Sequence, residues 1–315
     1  MKDKVLLLSG GVGGAKLAEG LSQVLDPEKL TIAVNTGDDF EHLGLAISPD
    51  IDSVTYMLAG LASAERGWGR SDETWSCMGA LDQIGASTWF QLGDRDLAIH
   101  LHRSARLAQG KSLETVTQEI AERLGVRHKI VPMTEHKVRT VIESDGTEYS
   151  FQEYFVRLRC APRTTGVRYE GAQFAAPSAG LQAALRDPQL GCVVIAPSNP
   201  ILSIGPILAV NPVRRALECT DVPVVAVSPI INGRAVKGPA AKILNELNLG
   251  STSSACATFY RDLIDFFVVD RTEEGTAWQS AAQRNFADIL MHTSDDRRRV
   301  ALTCLDVCGR GQAII

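Results

Sequence analysis

The stretch "LLLSGGVGGAKLAEGL", Leu6 to Leu21, is an apolar run that breaks into glycine at Gly10, Gly11, Gly13 and Gly14, then resumes with helical spacing at Leu17, Ala18, Leu21, Val24 and Leu25. A strand, a glycine bend and a helix in that order form a unit suited to an anion. Backbone without side chains can come close to a ligand, and the free N–H groups of a helix start attract negative charge. The stretch fails the dinucleotide fingerprint G-x-G-x-x-G at Lys16, and it lacks the G-x-x-x-x-G-K-[ST] of a P-loop. Two readings stand: a tight turn that packs the helix closely, or a phosphate cradle in which Ser9, Gly10, Gly11, Gly13 and Gly14 touch the ligand.

Outward from this unit, further runs rich in Val, Ile and Leu occur at Val5–Leu8, Thr31–Val34, Cys192–Ala196, Val222–Val227 and Phe266–Asp270. Continuous apolar runs without polar alternation predict strands buried on both faces of a parallel sheet. Leu113, Val116, Ile120 and Leu124 predict a helix, with Ser112 as its N-cap. Alternation of strand and helix predicts an α/β fold, mainly a parallel sheet with flanking helices. In the middle, Lys137–Glu143 and Thr147–Gln152 flank Asp145-Gly146, the signature of an antiparallel hairpin. Residues 61–190 therefore read as a mixed α+β insertion into a core made of residues 1–60 and 191–315, and Cys308–Ile315 as a frayed tail.

Composition narrows the function class. Hydrophobic residues make up 45% of the 315-residue chain and charged residues 22%, the balance of an ordinary globular protein. With 37 acidic against 32 basic residues the net charge is −5, so the basic excess of a nucleic-acid binder is missing. No window approaches the ~18 apolar residues that span a bilayer, and the N-terminus reads as no signal peptide. Seven scattered cysteines without CxxC signal neither a disulfide framework nor a zinc site, and point to a reducing, cytoplasmic compartment.

The chemistry-bearing residues cluster at expected strand ends. In "NTGDDFEHLGLAISPDID", Asn35 to Asp52, the carboxylates Asp38, Asp39, Asp50 and Asp52 crowd the carboxyl edge of the sheet, where ligands sit in open α/β folds. Carboxylates so close repel one another unless a cation or hydrogen-bond donors intervene, and a hard cation such as Mg²⁺ bridging a phosphate resolves the conflict; turn and cap roles are the alternative. "QLGDRDLAIHLHRS" brings Arg95, a fork for phosphate or carbonyl, between Asp94 and Asp96, and sets His100 and Arg103 on one helical face. The loops "APSNPILSIGPI" and "SPIINGRAVKGPAAK" offer Ser198, Asn199, Ser228, Lys237 and Gly238 to a base or to phosphates, unless they only satisfy their own backbone.

Together with RGWG…ETW and FQEYFVR, these motifs resemble, in the right order from Lys4 to about Asp270, the 2-phospho-L-lactate transferase family of coenzyme F-420 biosynthesis, called CofD in archaea and FbiA in mycobacteria. The resemblance implies a Rossmann-like core, a homodimer, and Mg²⁺-dependent transfer of a phospho-acyl group from a GDP-linked donor to the ribityl hydroxyl of the deazaflavin FO, with release of GMP. The acid transferred is phospholactate, phosphoenolpyruvate or 3-phosphoglycerate. It also implies that the glycine loop and the segments carrying Asn35, His100, Ser198, Asn199, Ser228, Lys237 and Gly238 surround the GDP part. Asp52 and Arg95 would touch FO, and Asp38 would hold the metal, shared with Asp39 or Asp50. Asp52 is the expected acceptor of the hydroxyl proton, and Arg95 or Lys237 would add positive charge. Read on their own, Trp68 and Trp75 either fill the core or stack on a flat ring, core filling being the commoner role. A non-catalytic nucleotide-sugar-binding regulator of the YvcK type is the alternative; LGDRDLAIHLHRS and FQEYFVR favour the enzyme. An NAD-dependent oxidoreductase is disfavoured by the failed fingerprint.

Overall fold

The computed structural model describes residues 2–236 and 238–309. Its centre is a seven-stranded sheet in which every neighbouring pair is parallel. In chain order its strands are β1 (Lys4–Ser9), β2 (Leu30–Val34), β3 (Lys129–Pro132), β4 (Leu190–Ile195), β5 (Val224–Val227), β6 (Phe266–Asp270) and β7 (Gln283–Ala287). Across the sheet they run β7-β6-β5-β4-β1-β2-β3, so strand order reverses between β1 and β4. This is the doubly wound order of Rossmann-like folds, whose ligands bind in the crevice at that reversal.

The five apolar runs form strands because both faces are covered. Leu6, Leu8, Val193 and Ile195 sink into one core cluster, while Val5, Leu7, Cys192 and Val194 sink into the other. On the second face pack α1 (Gly11–Ser22), α2 (Pro49–Leu58) and the C-terminal helix Ser294–Val307. The register pairs Ser9 with Val34 and Leu8 with Ile195, so the chain leaves β1, β2 and β4 at one level of the sheet edge. The glycine bend, Asn35 and Pro197-Ser198-Asn199 therefore emerge side by side.

Three departures from expectation have physical causes. β7 (QRNFA) is an edge strand with half-exposed Arg284, Asn285 and Phe286, so it carries no apolar run. At the opposite edge β3 (KIVP) is short and ends in proline, and it belongs to the main sheet although it lies within the expected insertion. Cys308, expected in a frayed tail, is buried against the C-terminal helix, and residues 310–315 of that tail lie outside the described residues. Elsewhere in the segment 61–190, Arg139–Ser144 pairs antiparallel with Thr147–Ser150 and Gly166–Glu170. Asp145 and Gly146 turn that hairpin with φ of +44° and +82°, and α3 (Ser76–Gln83), α4 (Asp94–Ala108) and α5 (Leu113–Arg123) precede it.

Candidate active site

A cavity of about 520 Å³ opens at the strand-order reversal. Gly10, Gly11 and Gly13 line it from the end of β1, Asp38 from beyond β2, and Pro197, Ser198 and Asn199 from beyond β4. Helix α1 begins at Gly11 with Gly10 as N-cap and no cap from the N-cap side chain; the Gly11 N–H bonds the Asp50 carboxylate, and the next first-turn N–H groups are left to the cavity. Gly11 adopts φ +62°, and a Cβ on Gly13 would lie 2.3 Å from the Pro197 carbonyl oxygen. A side chain is strained at Gly11 by the backbone and has no room at Gly13, so the bend is an open cradle and also a tight packing joint.

The acidic segment divides in two. Asp38 and Asp50 line the cavity, both buried, with no positively charged side chain bonded to either among the described residues. Asp50 Oδ2 accepts from Asn35 Nδ2 at 3.0 Å, and Asn35 Oδ1 accepts from the Gly37 N–H at 2.8 Å. Asp38 Oδ1 is buried without a hydrogen-bond partner. Burial, reinforced by the Asp50 charge, pushes the Asp38 carboxyl well above the usual carboxylate range, and burial pushes Asp50 up to about 6. An oxygen-only pair with an orphaned buried oxygen fits a hard divalent cation. Asp39 lies outside the cavity lining; its Oδ2 accepts from Ser48 Oγ at 2.8 Å, and burial pushes it up to about 8.

Asp52 takes a different course. Its two oxygens both accept from Arg103, which is 1% exposed, and Arg103 Nη1 also lies 3.1 Å from His100 Nδ1. The expectation that Asp52 receives a hydroxyl proton thus meets a carboxylate whose oxygens are engaged. His100 Nε2 approaches Asp96 Oδ1 at 3.3 Å, poorly aligned, and Asp96 Oδ1 also accepts from Tyr56 Oη at 2.5 Å. Asp52, Asp96 and His100 come close enough to hold a metal, but the Arg103 guanidinium already occupies both oxygens of Asp52 and lies against His100 Nδ1. Sequence reading named Arg95 here. Arg95 is on the surface, its side chain 53% exposed and 3.8 Å from Asp72, away from the cavity lining. The signal for Asp96 and Arg103 was helix phase: residues 96, 100 and 103 share one face of α4, and residue 95 does not.

Ser9, Gly14 and Asn35 stand behind the lining; a Cβ on Gly14 would meet Ser9 Oγ at 2.4 Å. Ser198 Oγ donates to the Gly10 carbonyl at 2.6 Å and ties the β4 loop to the glycine bend. Asn199 Oδ1 accepts from the Ile201 and Leu202 N–H groups, which fixes its amide and leaves Nδ2 a buried donor without a partner beside the cavity. Ser228 lines the cavity and shares a 2.8 Å hydrogen bond with Ser253 Oγ. Gly238 lines it too, and Lys237 lies outside the described residues. Aromatic side chains complete the wall: Trp68, 47% exposed, with Trp89, Phe90 and the stacked pair Phe151–Phe155, ring centroids 5.3 Å apart. Trp75 is outside the lining and meets Trp68 edge-on, with the Arg66 guanidinium near both rings.

Fold and site together define a doubly wound α/β protein with an anion cradle, a buried acidic pair and an aromatic wall in one crevice. The family model described as 2-phospho-L-lactate transferase CofD matches residues 5–305. The chain belongs to the CofD family, and is a transferase of that family. A phosphoenolpyruvate transferase of Kitasatospora aureofaciens is 40% identical over 278 residues, 86% of each chain. A 2-phospho-L-lactate transferase of Methanocaldococcus jannaschii is 34% identical over 309 residues, 97% of this chain and 98% of the other. A solved UPF0052-family protein of Bacillus halodurans shares the fold, with TM-score 0.60 over 97% of this chain and 99% of its own at 15% identity.

Proposed function

We propose that the protein transfers a phospho-acyl group from a GDP-linked donor to the ribityl hydroxyl of FO in coenzyme F-420 biosynthesis, releasing GMP. The observation that carries this reading is the joining, in one cavity, of an anion cradle at Gly10–Gly13 with the flat apolar surfaces of Trp68, Trp89 and Phe90. Among the three acids, enolpyruvate is the first expected, since relatives named phosphoenolpyruvate transferase reach 40% identity and those named 2-phospho-L-lactate transferase 34%.

In this reading the N–H groups at the start of α1 bind the donor's diphosphate, and Ser198, Asn199, Ser228 and Gly238 hold the guanosine part or its phosphates. Lys237, next in sequence to Gly238, would supply positive charge to the donor's phosphates, a role that Arg95, on the surface beside Asp72, does not share. Asp38 and Asp50 would hold Mg²⁺, which when bound neutralises charge developing on the transferred phosphoryl group. Mg²⁺, a homodimer and a cytoplasmic location belong to the same proposal, on the family resemblance. The test is mass spectrometry of the protein incubated with FO, Mg²⁺ and an equimolar mixture of the three GDP-linked donors. The expected result is an FO adduct matched by GMP, and its mass names the acid. Unchanged FO with every donor would overturn the enzyme and favour a nucleotide-binding regulator.

A further inference from the structure

The carboxylates lining the cavity are Asp38, Asp50, Asp52 and Asp96. Three of them are committed: Asp38 and Asp50 form the acidic pair suited to a cation, and both oxygens of Asp52 accept from Arg103. Asp96 differs. Its Oδ1 accepts from Tyr56 Oη at 2.5 Å and faces His100 Nε2 at 3.3 Å, and nothing among the described residues donates to Oδ2.

The polarity of this cluster follows from Arg103. A guanidinium only donates, so the His100 Nδ1 atom 3.1 Å from Arg103 Nη1 keeps its lone pair. With Nδ1 turned to Arg103, the ring nitrogen that faces Asp96 as a donor is Nε2. Arg103 is pinned by Asp52, so it does not form an ion pair with Asp96. The groups facing Asp96 are thus Tyr56 and Asp52 from α2, His100 and Arg103 from its own helix, and Glu73, which accepts the Asp96 backbone N–H at 2.8 Å. Burial works to raise this carboxyl, and the His100 ring, the Tyr56 hydroxyl and the Arg103 charge more than offset it, so Asp96 is ionised at neutral pH.

Resting on the transferase reading, we propose that Asp96 is the catalytic base that takes the proton of the attacking hydroxyl through its open Oδ2, with Tyr56 and His100 as positioning residues. The hydroxyl oxygen bonds to the donor's distal phosphorus, the bond from that phosphorus to the GMP oxygen breaks with its electron pair leaving on GMP, and the hydroxyl proton passes to Asp96 and then to solvent. In a loose phosphoryl-transfer transition state the alcohol becomes acidic only as its oxygen meets phosphorus, so a carboxylate of ordinary or low basicity suffices.

The experiment is steady-state and pH-dependent kinetics of the full chain with FO, Mg²⁺ and the donor that the wild type uses. Asp96→Asn is expected to lower kcat by about 10²-fold or more while KM for FO and GDP affinity stay within about threefold. Tyr56→Phe removes a donor that stabilises the ionised base, so the acid limb of its kcat profile is expected to move to higher pH. That readout survives even if Asp96→Asn folds poorly, and a merely structural tyrosine would not produce it. Full kcat in Asp96→Asn, a rise in KM alone, or an acid limb unmoved by Tyr56→Phe would each overturn the base. A wild type inactive with every donor would instead overturn the transferase reading, and the base with it.

Discussion

Asp38 and Asp52 line one cavity and are equally withdrawn from water, at 4% and 5% exposure, yet their surroundings are opposite. Asp52 meets the buried Arg103 guanidinium with both oxygens, and behind that pair stand His100, Asp96 and Tyr56. Asp38 meets the like charge of Asp50 and leaves one oxygen without a partner. A buried ion pair is closed architecture, whereas unpaired buried carboxylates are expensive to keep ionised unless something from outside completes them. The open half of the crevice is where a ligand must add charge, and the closed half is wall.

The largest expected effect comes from the open half. Asp38→Asn should lower turnover by roughly 10³-fold, several kcal/mol of transition-state stabilisation. The same variant should leave the metal-free melting temperature unchanged or raise it, because the cost of burying a carboxyl beside Asp50 is removed. An active Asp38→Asn enzyme, or one that melts lower, would move Asp38 to the structural side of the comparison.

In the closed half the signature reverses. Arg103→Met strands Asp52 as a buried unpaired charge and should cost about 3–5 kcal/mol of unfolding free energy, read from denaturant titration. Adding Asp52→Asn should recover much of that loss, since the double variant strands no charge. A loss below about 1 kcal/mol would mean that the pair does not hold the wall.

The two halves also differed in how legible they were. Asp38 and Asp50 were readable because a parallel strand announces its own end, and polar residues that follow an apolar run fall on the ligand edge of the sheet. The Asp52–Arg103 pair spans 51 positions and two helices, a contact that tertiary packing alone creates. Arg95 drew notice by its acidic neighbours, but neither pairs with it: Asp94 accepts from Thr74 Oγ1 and the Ser76 and Cys77 N–H groups, and Asp96 accepts from Tyr56 Oη. Of the seven strands, five were legible as apolar runs; of the two edge strands, β7 is half-exposed and β3, though largely buried, is only four residues long and ends in proline. Phe151 and Phe155 became part of the wall through a π-helical turn at Glu153–Arg157, which ordinary helical spacing does not foretell.

The smallest effect separates the halves by pH. The carboxyl of Asp50 is raised by burial from 3.8 to about 6, and Asp38 is raised by burial and by Asp50. A carboxyl raised in the folded state binds its proton more tightly there than in the unfolded chain. Its stabilising contribution is complete below the unfolded value and is lost as pH rises through the folded one. Asp96, lowered on balance, contributes in the opposite sense: its stabilisation is present above the ordinary range and is lost on acidification. A cation held by Asp38 and Asp50 must displace those protons, so the rise in melting temperature given by saturating Mg²⁺ over EDTA should be near zero at pH 5. It should grow to roughly 2–5 °C by pH 8. Ordinary surface carboxylates would already be ionised at pH 5 and would give a flat increment. A flat increment, or one that survives Asp38→Asn, would therefore place the cation elsewhere and leave the open half to the donor's phosphates alone.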